Sequence, residues 1–504
     1  MTPTTLSPTT QVHAETLSAL RQALGETIIA ELEACTKRLE AALSQIGTLA
    51  GCAVLAMFGG GKDSSFMTAV ARYMQLSIEE HYGETFLLRI ATNRHTGMSP
   101  AVLKNIDRVY QALALYGDPS VELLMIDGDS IAPFSPTNAY STVSLERDRS
   151  DVLMNGHRCQ GDPRPTFCNR CNLSMENALA LAIGCGKQAD VVLTGDSPTE
   201  QRHYLAWVRS VSRKMGNLPT PGQPSLHTFL LDLEQINHRL NTDVYGPAAE
   251  ELEVRRLAVN AVRGEPLFFS VYEDTAYSAV DHLSFLTGFL GFEFDEIAFS
   301  FTESDCGNPG LMAHFNGLRH ERLLGGTYAE GIREYATFAI GLMRRKEFPE
   351  SLIEMISARY ATPSGIEQMR YLMNRYASDA FNLDEDQLIC MLYSPFAEGA
   401  KFLHSYLERE RPGLISFEAA IRQALAHQLD PAETQGIASI LNKMSGLDLA
   451  HLQRLFQVSI VPTRQLGVSG RDPISIILTG DPHKGIVERR AGNGEVVREA
   501  ISGR

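Results

Sequence analysis

The segment Ala53–Met67 (AVLAMFGGGKDSSFM) joins a short apolar run to three consecutive glycines, a charged pair and two serines. Glycines let backbone N–H groups point at an anion and permit close approach of phosphate oxygens. The helix that follows would add free N–H groups and the positive end of its dipole. We therefore predict that this loop binds the phosphates of a nucleotide. Its candidate binding residues are Gly59, Gly60, Gly61, Ser64 and Ser65.

The spacing of these residues excludes two common phosphate-binding loops. A Walker A loop has a four-residue spacer between its glycines and ends in Gly-Lys-Ser/Thr, and both features are missing here. A dinucleotide-binding loop spaces its glycines as GxGxxG, whereas these glycines are consecutive and Lys62 and Asp63 follow at once. A plain glycine turn with Asp63 as a helix cap is the structural alternative.

Cysteines form the second chemical motif. Cys168 and Cys171 make a CxxC pair before a predicted helix, and two thiolates at this spacing can share one metal. Cys159 lies nine residues before the pair, and Cys306 stands in the polar loop TESDCGN, so both are further candidate ligands. The alternatives are a reduced, buried CxxC pair or a purely structural zinc site. Eight cysteines in 504 residues do not indicate a disulfide scaffold.

The elements around these motifs predict an α/β fold. Short apolar strands alternate with helices, which is typical of a Rossmann-like parallel sheet covered on both faces. The predicted strands are Cys52–Phe58, Thr85–Thr92, Val121–Asp127, Ala189–Gly195 and, as a fifth, HTFLLDL near Leu230. Ligands of such sheets bind at the carboxyl ends of the strands. The glycine loop and the turn Gly195–Asp196 both lie at such ends.

Three regions are expected along the chain. Residues 1–50 form an N-terminal helical segment, and residues 51–238 form the sheet domain with its CxxC segment. Residues 239–504 form a mainly helical C-terminal domain that ends in a small hairpin around Gly492–Gly494. Within the sheet domain, the polar stretch from Ser135 to Phe167 is expected to be irregular.

The composition and net charge disfavour several classes of protein. The formal net charge of −15 disfavours nucleic acid as a partner. The start of the sequence lacks a basic region followed by an apolar one, and no apolar run is long enough to span a bilayer. We therefore expect a cytoplasmic protein that acts on a small molecule, with a dimer contact as one role for the C-terminal region.

The segment Gly60–Ser64 resembles the PP-loop, SGGxDS, of the adenine nucleotide alpha hydrolase-like ATP pyrophosphatases. Gly59 stands where that motif has its first serine. The resemblance implies ATP with Mg²⁺, bound by Gly60, Gly61 and Ser64, and attack at the α-phosphate with release of pyrophosphate. It implies further that Asp63 orients the loop or approaches the magnesium and that Lys62 stabilises the leaving pyrophosphate. The end of the second strand, Ala91, Thr92 and Asn93, would contact the adenosine.

With the CxxC pair after the PP-loop-like segment, the chain resembles two branches of this superfamily. N-acetyl sugar amidotransferase-like enzymes also carry a cysteine pair and install nitrogen on a small molecule. In tRNA-thiolating enzymes a CxxC and a later cysteine hold zinc or an iron–sulfur cluster, which would here be Cys168, Cys171 and Cys306. The turn after the fourth predicted strand lacks the histidine typical of thiolating enzymes, so the small-molecule branch is preferred.

These resemblances define the predicted function and its alternatives. The chain is expected to adenylate a carbonyl or carboxylate oxygen of a small molecule for displacement by a nitrogen or sulfur nucleophile, with a partner protein as one source of that nucleophile. A tRNA sulfurtransferase is the first alternative. A non-catalytic nucleotide-binding module is the second, and its support is the glycine at position 59.

Overall fold

The central element of the fold is a buried strand, β1 (Ala53–Met57), in a sheet of six strands. The computed structural model describes residues 7–195, 198–217, 225–251, 258–273, 282–294, 297, 308–345, 348–465, 470–478, 484–490 and 496–502. The other strands of this sheet are β2 (Leu87–Asn93), β3 (Val121–Asp127), β4 (Ser130–Pro133), β5 (Val191–Thr194) and β6 (Leu267–Ser270).

The strand order of the sheet is β4-β3-β2-β1-β5-β6. All neighbours pair in parallel except β3 and β4, which are antiparallel. Counted over the parallel strands alone, the order is third, second, first, fourth, fifth. This matches the first five strands of the Rossmann order and is compatible with a Rossmann-like fold. The chain crosses over at β1, which pairs with β2 on one side and with β5 on the other.

Helices account for most of the remaining described residues, beside short 3₁₀ and π turns. They are α1 (Pro8–Ile46), α2 (Lys62–Tyr82), α3 (Pro100–Ala112), α4 (Thr142–Arg158), α5 (Asn169–Gly184), α6 (Pro198–Lys214), α7 (Leu226–Tyr245), α8 (Pro309–Arg322), α9 (Tyr328–Arg345), α10 (Glu350–Ala361), α11 (Pro363–Phe381), α12 (Glu385–Tyr393), α13 (Ala397–Ala400), α14 (Leu403–Glu410), α15 (Glu418–Leu425), α16 (Pro431–Ser445), α17 (Leu449–Gln457) and α18 (Pro473–Ile477). Among the described helices, none is both long and apolar enough to cross a bilayer.

The two faces of the sheet are covered by different helices. Val54 and Ala56 of β1 share a core with α1, α2 and α3, whereas Leu55 points to a second core with α5, α6 and α7. This follows from the alternation of side chains along a strand. The first core continues without interruption into the C-terminal helices, from α8 through α17.

Several sequence predictions are confirmed. The first four predicted strands are present as β1, β2, β3 and β5, and the N-terminal segment is the helix α1, interrupted at Gly25. The C-terminal hairpin is present as β7 (Lys484–Arg490) and β8 (Val496–Ser502), an antiparallel pair. The turn Gly492–Gly494 lies outside the described residues.

Two predictions about local structure are wrong. The segment around Leu230 is not a strand but part of α7, which begins with a capping box between Ser225 and Thr228. The stretch from Ser135 to Phe167 is not irregular throughout, because it contains α4. The fifth parallel strand is β6, which pairs with β5 from beyond residue 238.

Helix α4 joins the sheet region to the C-terminal helices. Arg149 donates hydrogen bonds to the carbonyl oxygens of Asn382 and Gly446, at 3.1 and 2.7 Å. Arg158 donates to Asp243 Oδ2 of α7 at 2.7 Å and to the Ser459 carbonyl oxygen at 3.1 Å. Because Arg158 is buried, Arg149 is half-buried and both are bonded to oxygen atoms of distant segments, α4 connects the helical region to the sheet region.

A buried ionic cluster holds α1 and α2 against the turn before β3. Arg72 of α2 is fully buried, and its Nη2 lies 2.7 Å from Asp118 Oδ2. His13 of α1 lies 2.7 Å from the same carboxylate and 2.6 Å from Glu79 Oε2. Burial alone would raise the pKa of Asp118, but the Arg72 charge and hydrogen bonds from Ser120 outweigh it and hold that pKa below its usual value.

We predict that Asp118→Ala lowers the free energy of unfolding by about 3–5 kcal/mol, since it leaves the Arg72 guanidinium buried without its carboxylate. The measurement is urea unfolding at pH 7. Glu80→Ala is the matched control, because Glu80 pairs with Arg21 at 2.7 Å on the exposed side of α2 and its loss should cost less than about 1 kcal/mol. Equal effects of the two variants would contradict the prediction.

The lowered pKa of Asp118 predicts how the free energy of unfolding depends on pH. A carboxyl group whose pKa is lowered by folding contributes stability that is present above its unfolded pKa, about 3.9. That contribution is lost as the pH falls through the folded value. The stability difference between wild type and Asp118→Ala should therefore be constant near neutrality and shrink below about pH 4.

Candidate active site

The glycine turn after β1 lies tightly against α3. Gly60 has a φ of 77°, in the left-handed region that favours glycine. A Cβ atom at Gly60 would stand 2.7 Å from Val102 Cγ1 and 2.9 Å from Ile106 Cγ1. Both the backbone conformation and the packing therefore require glycine at this position.

This turn leads directly into the N-terminus of α2. Gly61 is the N-cap residue and has no side chain to accept from the first N–H groups of the helix. The first helical hydrogen bond runs from Ser65 N to the Gly61 carbonyl oxygen, at 2.9 Å. The N–H groups of Lys62, Asp63 and Ser64 precede it and are not used by the helix itself. An anion at this point would meet these N–H groups and the positive end of the helix dipole.

The two serines differ in their access to a ligand. Ser64 Oγ donates to the Gly61 carbonyl oxygen at 3.2 Å, and Ser65 Oγ donates to the same oxygen at 2.8 Å. Ser65 is fully buried, whereas Ser64 is half-buried and lines a cavity. Of the two hydroxyl groups, only that of Ser64 is positioned to contact a ligand.

Lys62 and Asp63 form an ion pair at the first turn of α2. Lys62 Nζ lies 2.6 Å from Asp63 Oδ1. The lysine side chain is only 11% exposed, whereas the aspartate side chain is 48% exposed. The pair thus places a shielded cation and an accessible carboxylate side by side at the helix N-terminus.

A cavity of about 1150 Å³ opens at the carboxyl ends of β1 and β5. Its wall includes Met57 at the end of β1, then Lys62, Asp63 and Ser64, and Gly195 directly after β5. The cavity therefore lies where the strand order reverses, which is the position of the ligand crevice in open α/β sheets.

Four further parts of the fold supply much of the remaining wall of this cavity. Helix α5 contributes Met175, Glu176 and Leu179. Further side chains come from α6, α7 and the region of β6. Four of them are aromatic, Tyr204, Phe229, Phe268 and Tyr272, and they lie in the wall with Leu205, Arg209, Ser225, Leu226 and Glu265. These residues were not predicted from the sequence, because they become neighbours only through the crossover of the sheet.

Some of the predicted nucleotide-binding residues line the cavity, and the others lie in the protein interior. Lys62, Asp63, Ser64 and Gly195 line the cavity, whereas the wall does not include Gly59, Gly60, Gly61 or Ser65. Ala91, Thr92 and Asn93 at the end of β2 are buried and are not part of the wall either. Asn93 Nδ2 donates to Ser174 Oγ of α5 at 3.2 Å, so α5 covers this strand end. Asp196 lies outside the described residues.

The predicted metal ligands are only partly described. Cys306 and the side chains of Cys168 and Cys171 lie outside the described part of the structure. Within the described residues, no cluster of three or more His, Cys, Asp or Glu side chains could hold a metal ion. The shared binding of a metal by Cys168, Cys171 and Cys306 therefore stays a prediction.

Cys159 has the environment of a protonated structural thiol. It is 1% exposed, and its Sγ donates to the Asn155 carbonyl oxygen at 2.9 Å and lies 3.4 Å from Thr166 Oγ1. Burial raises the pKa of this thiol to about 12. Burial likewise lowers the pKa of the nearby His157 to about 3. Since thiolates are the form that binds metals, this environment does not favour Cys159 as a ligand.

The fold and the cavity define the chain as a mixed α/β protein with a glycine-rich turn and a cavity at the crossover of its sheet. No protein-family model matches the chain, and neither does any curated protein or solved structure. The interpretation of the cavity therefore depends on the geometry of its own residues.

We predict that Gly60→Ala lowers the free energy of unfolding by more than the left-handed conformation alone would cost. Gly83 at the end of α2 is the matched control, because it has a φ of 74° but no atom within 4 Å of the position that a Cβ would take. Gly83→Ala should cost about 1–2 kcal/mol. Gly60→Ala should cost about 1–3 kcal/mol more, because its methyl group meets α3. Urea unfolding of both variants is the measurement, and equal losses would show that the turn does not depend on this packing.

Proposed function

We propose that the chain is an ATP-dependent enzyme of the PP-loop ATP pyrophosphatase type that adenylates an oxygen atom of a small molecule. One observation carries the proposal: the cavity at the crossover of the sheet contains Lys62, Asp63 and Ser64 at the open N-terminus of α2. A helix N-terminus that opens into a cavity at the carboxyl ends of two parallel strands is suited to bind an anion. The segment that makes them is the one that resembles the PP-loop.

The proposed reaction has two steps. A carboxylate or carbonyl oxygen of the acceptor attacks the α-phosphorus of ATP, and the bond from that phosphorus to the α,β-bridging oxygen breaks. Pyrophosphate leaves with the electron pair, and the acceptor oxygen now carries AMP. A nitrogen or sulfur nucleophile then attacks the activated carbon, loses a proton, and displaces AMP.

The described residues suit the first of these steps. The N–H groups at the start of α2 and the Lys62 ammonium group would stabilise the negative charge that develops on the leaving pyrophosphate. The accessible carboxylate of Asp63 would hold a magnesium ion, which supplies charge neutralisation at the phosphates. The hydroxyl group of Ser64 would contact a phosphate oxygen from the cavity wall.

Sulfur transfer with a metal centre is the second candidate, and the position of the cysteine pair favours it. Cys168 directly precedes α5, and Cys171 lies in its first turn. The next turn of this helix contributes Met175 and Glu176 to the cavity. Along the backbone, Cys171 therefore lies about one helical turn, roughly 5 Å along the axis, from the residues of α5 that line the cavity.

We predict that Lys62→Ala weakens the binding of Mg²⁺ and ATP at least about tenfold, because it removes a shielded cation from the phosphate end of the cavity. Isothermal titration calorimetry with the non-cleavable analogue α,β-methylene-ATP is the measurement. Lys187→Ala is the matched control. Lys187 precedes β5, so it lies at the amino ends of the strands, away from the cavity, and it pairs with Asp190. Unchanged affinity in Lys62→Ala would refute the phosphate site.

Asp63→Ala and Ser64→Ala test catalysis at the same site. Both variants should remain folded and lose ATP-dependent release of pyrophosphate in the presence of an accepted substrate. Wild-type rates in both would remove these residues from the reaction. ATP binding without turnover over a broad panel of acids, amides and nucleophiles would favour the non-catalytic module.

Cys168→Ser tests the metal centre. We predict that protein purified without oxygen contains zinc or iron and that this variant loses most of it, because a thiolate ligand is replaced by a hydroxyl group. Cys185→Ser is the matched control, since Cys185 is a free thiol just beyond the other end of α5. Metal content is measured by atomic spectrometry, and equal content in both variants would remove Cys168 from the ligand set.

A further inference from the structure

The cavity extends well beyond the phosphate end. It spans β1, β5 and β6, and neighbouring strands lie about 4.8 Å apart. Phe268 on β6 is therefore roughly 10 Å from the strand that carries the glycine loop. The volume of about 1150 Å³ exceeds the range of about 300–1,000 Å³ that is typical of a site for one small ligand. The cavity thus has room for a nucleotide and a second molecule.

The end of the cavity near β6 is aromatic. Tyr204 of α6, Phe229 of α7 and Phe268 of β6 all contribute to its wall. The ring centroids of Tyr204 and Phe229 lie 5.8 Å apart. Tyr204 and Phe268 are each 38% exposed, and Met175 beside them is 48% exposed. Exposed apolar side chains that line a cavity mark a place where a ligand covers them.

The wall of the cavity also contains an exposed cation on α6. Arg209 lies on α6, five residues after Tyr204, and shares the wall with it. In the part of the chain that the structure describes, no carboxylate pairs with its guanidinium group. The two glutamates of the wall already accept hydrogen bonds: Glu176 from the Tyr204 hydroxyl group at 3.1 Å, and Glu265 from the backbone N–H of Leu226 at 2.9 Å. Because no described carboxylate pairs with Arg209, its guanidinium group is available to an anionic group of a ligand.

We propose that the aromatic end of the cavity binds the acceptor substrate and that this acceptor is a carboxylic acid that carries an aromatic ring. The ring packs against Tyr204, Phe229 and Phe268, and an anionic group of the acid pairs with Arg209. The assignment of this molecule as acceptor rests on the proposed function, whereas its binding does not. The adenine ring of ATP is the competing occupant, and it carries no negative charge for Arg209.

The chain contains its own reporter for this site. Trp207 is the only tryptophan of the 504 residues. Its ring stacks on Tyr204 with centroids 5.8 Å apart and an interplanar angle of 14°. A ligand that packs against Tyr204 will change the environment of Trp207 and hence its fluorescence.

The experiment titrates the 504-residue protein with three probes while Trp207 emission is recorded. The probes are 3-phenylpropanoate, its neutral analogue 3-phenylpropanamide, and hexanoate, which has the charge but no ring. We expect a saturable change with 3-phenylpropanoate and at least about tenfold weaker binding of the other two, since each lacks one of the two interactions. Tighter binding of the neutral amide, or no saturable change with the aromatic acid, would overturn the proposal.

Two pairs of variants locate the interactions. Arg209→Gln should weaken 3-phenylpropanoate about tenfold and leave the amide unchanged, whereas Arg213→Gln, one turn further along α6 and outside the wall, should change neither. Phe268→Ala should weaken the acid. Its neighbour Leu267 points to the opposite face of β6, so Leu267→Ala is the matched control. Equal effects within either pair would overturn the assignment.

Calorimetry with α,β-methylene-ATP separates the acceptor from the nucleotide. Phe268→Ala should bind the analogue as wild type does, and saturating 3-phenylpropanoate should not displace it. Loss of analogue binding in Phe268→Ala, or competition between the two ligands, would place the adenine ring at the aromatic end and overturn the inference. Binding of the acid without any binding of the analogue would support the aromatic site and count against the proposed function.

Discussion

The packing of Gly60 against α3 is the constraint on which the candidate site depends. With a φ of 77° and Val102 and Ile106 within 3 Å of a Cβ position, this residue keeps the chain close to the sheet after β1. The chain can then enter α2 at Lys62, only five residues after β1 ends. A longer or looser turn would carry the helix N-terminus away from the crossover. The position of the cation, the carboxylate and the open N–H groups thus follows from one glycine and two aliphatic side chains.

The crossover of the sheet gives this helix N-terminus a cavity to face. Because β2 pairs with one edge of β1 and β5 with the other, the helices that follow β1 and β5 lie on opposite faces of the sheet. Neither covers the gap between the two strand ends. Helix α5 closes the β2 side through the Asn93–Ser174 hydrogen bond, so the space extends toward β6 instead. This explains why the end of β2 is buried while the wall near β6 is aromatic.

The sequence predicts the elements that are determined by the local pattern of apolar residues. It does not predict those that depend on which strands pair in the sheet. The apolar runs of β1, β2 and β3 predict strands, and the three consecutive glycines after β1 predict a loop. The segment around Leu230 was misassigned because a seven-residue apolar window cannot separate a strand from a helix; the spacing of Leu226, Leu230 and Leu233 fits a helical face. Strand β6 and the aromatic wall could not be predicted, because Tyr204, Phe229 and Phe268 come together only after β6 pairs with β5.

The Lys62–Asp63 pair also constrains how a polyphosphate could enter the site. At 2.6 Å the two charges neutralise each other, so the pair by itself offers an incoming anion little net attraction. The half-exposed carboxylate would repel phosphate oxygens, in a chain whose net charge is already −15. A divalent cation between the carboxylate and the phosphates would remove this repulsion and free the lysine to pair with the anion. Under the proposed function, a nucleotide would therefore bind as its magnesium complex rather than as a bare anion, and the lysine and the aspartate would each contact one part of that complex.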